Sequence, residues 1–355
     1  MSQVDDYQPG IREILSEGYS LDGTREAVVK RIDSGRVNET YLVSVNGGQD
    51  YIFQRLNALF GAAEAIGENW SRVGEAVSGI GAGFPRIRPS KRTGWLYRPS
   101  GGLVGPVWRL TDFLPGRPPS RKSKEEARLS ARAMGLYHVA LNVPKPIELL
   151  PSLESGDFTN QRRCSPEDFE IINSHYRGHP NLASLATDIS RGTLAARNLP
   201  NRPSYVRVFA VRDLVIHKDC KVSNFLVDAE TVSLIDWDTV GYGDPLLDIG
   251  EMCRSWAVSP VAPLYDADLA AAIVDGYRQG GLRLTKGEYQ LLPAVVRGLS
   301  LNLARRYLID ALAESYFKWD KDSYPSLYEQ NKSRGHFMLD LVEELLDREI
   351  ELMKI

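Results

Sequence analysis

The stretch of the chain that decides the fold runs from Val215 to Glu251 and reads VIHKDCKVSNFLVDAETVSLIDWDTVGYGDPLLDIGE. Two short apolar runs in this region, LVIH beginning at Leu214 and VSLID beginning at Val232, each end in a polar residue. An apolar β-run that stops at a polar side chain is a common way to hold charge at the rim of a sheet, beside a cleft. The pattern therefore predicts a polar site built from these two runs.

The spacing of the polar residues indicates the chemistry of that site. Asp219 is followed two residues later by Lys221 and five residues later by Asn224, and the second run delivers Asp236. Phosphoryl transfer needs such a set: one Asp takes the substrate proton, Asn and a second Asp hold magnesium, and Lys reaches the transferring phosphate. We therefore expect Asp219 and Lys221 to be catalytic, and Asn224 and Asp236 to bind Mg²⁺.

The composition places the chain among ordinary soluble globular proteins, with 43% apolar and 25% charged residues. At 355 residues it is long for a single hydrophobic core, so two lobes or domains are expected. A net charge of -3 gives no electrostatic footprint for nucleic acid. No apolar run approaches the roughly 20 residues that span a bilayer. We therefore expect neither a nucleic-acid partner nor a membrane partner.

Cysteine usage and the N-terminal residues both favour a cytoplasmic location. The three cysteines are odd in number and widely spread, which indicates a reducing compartment and no disulfide framework. No Cys/His cluster has zinc spacing. The first residues, MSQVDDYQPG, have neither a basic start nor an apolar segment, so they do not form a secretory signal.

The N-terminal part of the chain has the pattern of a β-rich lobe. A short helix is predicted over residues 9–22, and the segments AVVKRI, ETYLVSV and DYIFQRL then predict a three-stranded antiparallel meander with an Asn-Gly-Gly turn. Gly35, in the loop DSGRVN, would let the backbone approach a phosphate. The segment AAEAIGENWSRVGEAV after the meander has helical periodicity.

A change of composition predicts the boundary between the lobes. FPRIRPS, GWLYRP and PVWRLTDFLPG are predicted as further strands, and the polar linker RPPSRKSK follows them. We assign residues 1–115 to a nucleotide-binding β-rich lobe and residues 116–355 to a helical lobe with the catalytic and metal-binding loops. Between them, the backbone of Thr111, Asp112, Phe113 and Leu114 is expected to meet an adenine edge.

The C-terminal part is predicted to be mostly helical on both sides of residues 215–251. KEEARLSARAMGLYHVALN has a broad apolar face, and helices are also expected near 166–176 and 181–197 and over 266–280, 286–318 and 333–354. The predicted fold class is therefore α+β, with two lobes. A cleft between such lobes is where a nucleotide and a second substrate would meet.

At this point the sequence resembles a known superfamily. HKDCKVSN is similar to the catalytic loop HxDxxxxN of kinase-like folds, and IDWD resembles the metal-binding strand of the aminoglycoside phosphotransferase and choline kinase-like group. Protein kinases have Asp-Phe-Gly at that strand and Ala-Pro-Glu after it, and this chain has neither. GRVNETYLV, YIFQRLN, WRLTDFLPG, HKDCKVSNFLVD and IDWDTV most resemble the N-acetylhexosamine 1-kinase type. The resemblance implies a two-lobed protein-kinase-like fold and the use of ATP with Mg²⁺.

The resemblance also implies roles for single residues. Asp219 would be the general base, Lys221 would steady the γ-phosphate, and Asn224 and Asp236 would bind Mg²⁺. Arg55 would take the place of the nucleotide-binding lysine, and Gly35 would lie in the phosphate-covering turn. From the helical segment after the meander, we also expect Glu64 or Glu68 to pair with Arg55. His217 and Asp248 would hold the catalytic loop, and Asp238 would be a second metal ligand or a support for the loop. Lys218 stands where the family usually has Gly or Asn; it would favour the ionised base or point to solvent.

The implied activity is ATP-dependent transfer of the γ-phosphoryl group to a small-molecule hydroxyl, favoured to be that of a sugar or amino sugar, by a monomer or homodimer. Aminoglycosides, choline and homoserine are alternative acceptors. An acidic C-terminal helix would suit a polycation, and aromatic residues of the helical lobe would suit a quaternary ammonium. A kinase-like pseudoenzyme that only binds ligands is a further alternative.

Overall fold

The computed structural model describes residues 8–21, 23, 26–32, 38–45, 48–57, 63–92, 94–99, 105–151, 163–210, 214–229 and 231–352. Helix α1 (Gln8–Gly18) comes first, and helix α2 (Ala63–Ala76) follows the third strand. The strands of the N-terminal sheet are β1 (Val28–Ile32), β2 (Glu39–Ser44), β3 (Asp50–Leu56), β4 (Leu96–Tyr97) and β5 (Val107–Asp112).

The N-terminal sheet has the strand order β1-β2-β3-β5-β4, and all neighbouring strands are antiparallel. The predicted meander is therefore confirmed. FPRIRPS does not form the predicted strand, because Ile87 makes only a single bridge, to Thr111. Pro85 and Pro89 on either side have no N–H group for a longer ladder.

The two faces of the sheet have different partners, because successive side chains of a strand point in opposite directions. Tyr51 and Phe53 of β3 point to the outer face, where they are buried together with Leu15 of α1. The next residue, Gln54, points to the inner face, and its side-chain oxygen accepts a hydrogen bond from Arg109 Nε at 2.8 Å. The inner face therefore carries buried polar groups, whereas the outer face is apolar.

The C-terminal part is mainly helical, as predicted. Its helices are α3 (Lys124–Asn142), α4 (Glu167–His175), α5 (Ala186–Arg197), α6 (Pro203–Val208), α7 (Pro245–Trp256), α8 (Ala267–Gly280), α9 (Lys286–Tyr289), α10 (Leu292–Ala313), α11 (Leu327–Asp347) and α12 (Glu349–Leu352).

The helix predicted over 286–318 is interrupted and ends early. It divides into α9 and α10, and α10 stops because Glu314 adopts a left-handed conformation with φ of 47°. The Asp310 carboxylate then accepts hydrogen bonds from three backbone N–H groups just beyond the helix, the shortest at 2.8 Å. Periodicity alone did not reveal this stop, because the aromatic residues that follow continue the apolar pattern.

The stretch over residues 215–251 forms two small antiparallel strand pairs. Strand β6 (Leu214–Ile216) pairs with β9 (Gly241–Gly243), and β7 (Phe225–Asp228) pairs with β8 (Thr231–Leu234). The polar residues lie in the connections between these strands. The linker after β5 joins the same unit, since Arg117 and Val227 exchange backbone hydrogen bonds of 3.1 and 2.8 Å.

The α+β fold class is confirmed by a β-sheet N-terminal region and a helical C-terminal region. No helix among the described residues is long and apolar enough to cross a membrane. The boundary between residues 1–115 and 116–355, the cytoplasmic location and the monomeric or homodimeric state stay predictions.

Candidate active site

The loop between β6 and β7 brings Asp219, Lys221 and Asn224 into direct contact. The Lys221 ammonium group donates a hydrogen bond to Asp219 Oδ2, and Asn224 Nδ2 donates to the same oxygen at 3.0 Å. Backbone hydrogen bonds of 2.9 Å from Lys221 N to Asp219 O and from Asn224 N to Lys221 O close the loop. Asp219 Oδ1 accepts no hydrogen bond from any residue that the structure describes, so this oxygen is available to a ligand.

Asp236 follows β8 and reaches the same place through a left-handed backbone conformation, with φ of 67° and ψ of 57°. Aspartate is one of the few residues besides glycine that visit this region readily. The N–H group of Ile235 donates to the carbonyl oxygen of Asn224 at 2.9 Å and so holds the two connections together. The structure thereby brings together the four residues predicted for catalysis and metal binding.

The pKa of the Asp236 carboxyl group is raised to about 6. Burial is the largest cause, the charge of Asp238 raises the pKa further, Lys221 opposes both, and Asp219 adds to the increase. The pKa of Lys221 is also raised, because Asp219 and Asp236 together outweigh the effect of its burial. Within the described residues the Asp236 carboxylate accepts no hydrogen bond, so its negative charge lacks a donor that would stabilise it.

Asn224 and Asp236 are the residues that would hold a divalent cation. Asn224 donates both its side-chain hydrogen bonds to Asp219, which leaves Asn224 Oδ1 without a donor in the described part of the chain. No group of three or more His, Cys, Asp or Glu side chains there could hold a metal ion. Two oxygen ligands nevertheless fit Mg²⁺, which commonly binds one or two protein side chains and completes its shell with water and substrate phosphates.

We expect Asp236→Asn to be more stable than the wild type at pH 8 when no metal is present. The folded protein raises the pKa of Asp236 from 3.8 to about 6, so the wild type loses folding free energy as the pH rises between these values. The gain in Tm of the variant should therefore grow over this interval and then level off. Thermal unfolding in EDTA from pH 4 to pH 8 measures the Tm difference between the variant and the wild type. A difference that does not change with pH would contradict the raised pKa of Asp236.

Asp248 fixes the backbone of the loop between β6 and β7, which carries Asp219. It is fully buried in the first turn of α7, and its carboxylate accepts hydrogen bonds from the N–H groups of His217 at 2.7 Å and Lys218 at 2.9 Å. His138 Nε2 of α3 lies 3.1 Å from the same carboxylate. Burial opposes ionisation, yet the hydrogen bonds and nearby histidines lower the pKa of Asp248.

His217 has the structural role that was expected of it. Its Nε2 lies 3.1 Å from the carbonyl oxygen of Ile235, and its Nδ1 accepts a hydrogen bond from the N–H of Asp219 at 3.2 Å. The imidazole ring also packs edge-on against Trp237, with ring centroids 4.6 Å apart. The histidine therefore joins the loop that carries Asp219 to the strand end that carries Asp236.

The Asp238 carboxylate is buried in an ion pair with the N-terminal region. Both of its oxygens are engaged by the N-terminal lobe, because Arg109 forms a bidentate ion pair with them and Asn38 Nδ2 donates to Asp238 Oδ2 at 2.9 Å. The Arg109 and Asp238 side chains are each only 1% exposed. The Arg109 guanidinium group also lies over the Trp70 ring, 4.1 Å from its centroid.

The structure does not bring Arg55 to this cluster. Arg55 follows Gln54 on β3 and so points to the opposite face of the sheet, where it pairs with Glu39 at 3.1 Å. Glu64 and Glu68, its expected partners, bind other arginine side chains. The predicted pairing is therefore wrong, and strand alternation turns Arg55 away from the face on which Arg109 meets the helical lobe.

The segment Thr111–Leu114 ends the sheet and begins the linker to the helical lobe. The N–H groups of Asp112 and Phe113 are already used, since they donate to backbone carbonyls at 2.9 and 3.2 Å. Leu114 N–H makes no hydrogen bond with the residues that the structure describes. Contact of this segment with an adenine edge stays a prediction. The N–H group of Leu114 is available to donate a hydrogen bond in such a contact.

The sequence interpretation missed the buried pair of Arg109 and Asp238. A signal was present, because Arg109 is the one charged residue inside the apolar run VWRL, at a position where a strand would bury it. The place of its partner in the chain could not be read from that run. Gly35, predicted for the phosphate-covering turn, lies outside the described residues.

The acidic and aromatic side chains that would suit alternative acceptors already have partners within the protein. On the acidic helix α11, Glu343 binds Arg191 at 2.9 Å and Glu344 binds Arg348 at 2.7 Å. Among the aromatic residues, Trp256 is buried, and the Arg306 guanidinium group lies over the rings of Tyr316 and Phe317. These side chains therefore contribute to the packing and charge balance of the helical lobe.

A β-rich region joined to a helical region, with Asp219, Lys221, Asn224 and Asp236 grouped on two adjacent connections between small strand pairs, is the arrangement of the kinase-like class. Residues 28–282 match the model of the phosphotransferase enzyme family. The chain therefore belongs to that family, and the prediction of a phosphotransferase acting on a hydroxyl acceptor is confirmed. Among curated proteins, no match was found.

Solved structures of low sequence identity share the fold over nearly the whole chain. An amicoumacin kinase in complex with AMP-PNP, Ca²⁺ and Ami has a TM-score of 0.64 at 14% identity, covering 96% of this chain and 94% of that chain. A microcompartment-associated aminopropanol kinase has a TM-score of 0.61 at 17% identity, covering 96% and 98%. An aminoglycoside phosphotransferase from Alicyclobacillus acidocaldarius has a TM-score of 0.57 at 15% identity, covering 96% of each chain.

Proposed function

We propose that the protein is an ATP-dependent small-molecule kinase that transfers the γ-phosphoryl group to a hydroxyl of a sugar or amino sugar, as an N-acetylhexosamine 1-kinase does. The observation that carries the proposal is the grouping of Asp219, Lys221, Asn224 and Asp236 on two adjacent connections. The amicoumacin kinase with AMP-PNP and Ca²⁺ supports the use of ATP with a divalent cation, which we propose to be Mg²⁺.

In the proposed reaction, the acceptor oxygen bonds to the γ-phosphorus of ATP while the bond from that phosphorus to the β,γ-bridging oxygen breaks. The proton of the acceptor hydroxyl passes to the Asp219 carboxylate, and ADP leaves. Lys221 is held beside Asp219 and would orient the γ-phosphate and offset its charge. Asn224 and Asp236 would hold Mg²⁺, which when bound neutralises charge on the phosphates.

Two observations support a sugar over a polycationic aminoglycoside as acceptor. Glu343 and Glu344, the carboxylates expected to attract a polycation, are paired with arginines. Next to the proposed base stands a lysine, Lys218, whose positive charge would repel a second cation. The choline alternative has no support from Tyr316 and Phe317, because their rings already contact a guanidinium group.

We expect an ADP-release screen with Mg·ATP to show turnover with a hexose or an N-acetylhexosamine, and Asp236→Ala to lose both metal-dependent nucleotide binding and turnover. The screen should include amino alcohols and aminoglycosides as competing acceptor classes. Normal turnover by purified Asp236→Ala would overturn the site. If the enzyme instead prefers an aminoglycoside or an amino alcohol, the proposed acceptor class is wrong, but the assignment as a phosphotransferase is retained.

A further inference from the structure

Lys218, the residue immediately before Asp219, has an unusual backbone conformation. Its φ of 70° lies in the left-handed region, which is unfavourable for a residue with a Cβ atom. The conformation is imposed by the fold, because the Lys218 N–H group donates to Asp248 Oδ1 at 2.9 Å. Glycine or asparagine would meet this requirement at lower cost, so the lysine side chain itself requires an explanation.

The Lys218 side chain runs over the backbone of Gly241 in β9. A Cβ atom added to Gly241 would lie 2.9 Å from Lys218 Nζ and 3.2 Å from its Cε, so the end of the lysine side chain packs directly on this glycine. Gly241 follows the strand end that carries Asp236 by five residues. The ammonium group is therefore held between the connection that carries the base and the segment after the metal ligands.

The ammonium group of Lys218 has no partner in the described part of the chain. The residue is half-buried, and no described carboxylate or carbonyl accepts a hydrogen bond from Nζ. Asp248 is the carboxylate whose charge acts on it, but both oxygens of Asp248 already accept other hydrogen bonds. Desolvating a cation without pairing it costs free energy, and an anionic ligand would offset that cost.

We propose that Lys218 binds an anionic group, a carboxylate or a phosphate, carried by the acceptor whose hydroxyl faces Asp219. The inference rests on the proposed function and narrows its substrate class to acidic derivatives of sugars. Adjacent residues would then divide the acceptor between them, with Asp219 at the reacting hydroxyl and Lys218 at the charged end. Repulsion from the same ammonium group would exclude polycationic acceptors.

The test is a binding measurement that needs no turnover. Calorimetry in the presence of Mg·AMP-PNP compares glucose, galactose and mannose with the corresponding hexuronates and hexose 6-phosphates. We expect one acidic series to bind about 10-fold tighter than its neutral parent, which corresponds to about 1.4 kcal/mol. The hexuronates and the 6-phosphates distinguish a carboxylate from a phosphate as the recognised group.

Three variants locate the effect. Lys218→Asn should bring the ratio of acid affinity to neutral affinity close to 1, and Lys218→Arg should keep most of the preference for acids. Lys286→Asn, which changes an exposed lysine on α9, should leave the ratio unchanged. Asparagine tolerates the left-handed conformation, so Lys218→Asn should not lower the Tm. A loss of affinity for acids then cannot be attributed to unfolding.

The outcomes separate this inference from the proposed function. An equal ratio in the wild type and Lys218→Asn, or no binding by any acid, would overturn the role of Lys218. Phosphoryl transfer to the same compounds is measured in parallel. If transfer is absent but the charge preference depends on Lys218, the anion site stands and the kinase proposal fails.

Discussion

Asp219→Asn should lower kcat by about 10²- to 10⁴-fold, the range expected on loss of a general base. Asparagine keeps the size of the side chain and a hydrogen-bonding oxygen near Lys221, but it cannot take the proton of the acceptor hydroxyl. Mg·ATP should bind with affinity within a few-fold of the wild type, because Asn224 and Asp236 retain their oxygens. Steady-state kinetics and calorimetry with Mg·AMP-PNP measure the two quantities separately.

Asp228→Asn is the matched control for this prediction. Asp228 ends β7 in the same unit, but it is exposed, and among the described residues its side chain forms no hydrogen bond or ion pair with the loop between β6 and β7. Its turnover should equal that of the wild type. Full turnover in Asp219→Asn, or loss of nucleotide binding together with turnover, would contradict the assignment of Asp219 as the base.

Arg109→Met should destabilise the folded protein by about 3–5 kcal/mol, the usual cost of removing one partner from a buried ion pair. It leaves the Asp238 carboxylate, which is 1% exposed, without the bidentate guanidinium group that balances its charge. Arg109→Lys should not restore stability fully, because an ammonium group cannot reproduce the planar pair of hydrogen bonds or the stacking on Trp70. Thermal and denaturant unfolding measure the loss.

A double-mutant cycle decides whether the loss belongs to the pair. Asp238→Asn by itself should also destabilise the protein. The loss of unfolding free energy in the double variant, Arg109→Met with Asp238→Asn, should be smaller than the sum of the losses in the two single variants. Arg55→Met is the control on the same sheet, because the Arg55 and Glu39 side chains are 46% and 43% exposed and such pairs contribute about 0–1 kcal/mol. Additive losses would show that Arg109 acts through another contact.

Asp238 lies two residues after Asp236, so the Arg109 pair also links the β-rich lobe to the strand end that carries Asp236. Gln54 joins the link from β3, since its side chain contacts both Arg109 Nε and Thr40 Oγ1. If this link positions Asp236, Arg109→Met should also weaken Mg-dependent nucleotide binding at temperatures where the protein stays folded. The β-rich lobe would then contribute to the site through a buried ion pair.

The sequence predicted the elements whose pattern is local. Alternation identified β1 to β3, helical periodicity identified α2 and α3, and the two short apolar runs located the unit that carries the site. The grouping of Asp219, Lys221, Asn224 and Asp236 was also predictable, because all four lie on one short stretch whose small strand pairs return the chain to the same place. Helix ends were less predictable: α10 stops at a side-chain cap that periodicity does not register.

Only the tertiary structure decided which distant residues complete the site. Arg109 and Asp238 are 129 residues apart, and Asn38 and Asp238 are 200 apart, so no local pattern could pair them. Strand alternation always places Gln54 and Arg55 on opposite faces, and only the packing of the sheet decided that the face of Gln54 and Arg109 is the one that meets Asp238. The local motif determined which four polar side chains meet, because it fixes their order along two short connections. The buried charges that hold this motif against the other lobe depend on how the two lobes pack.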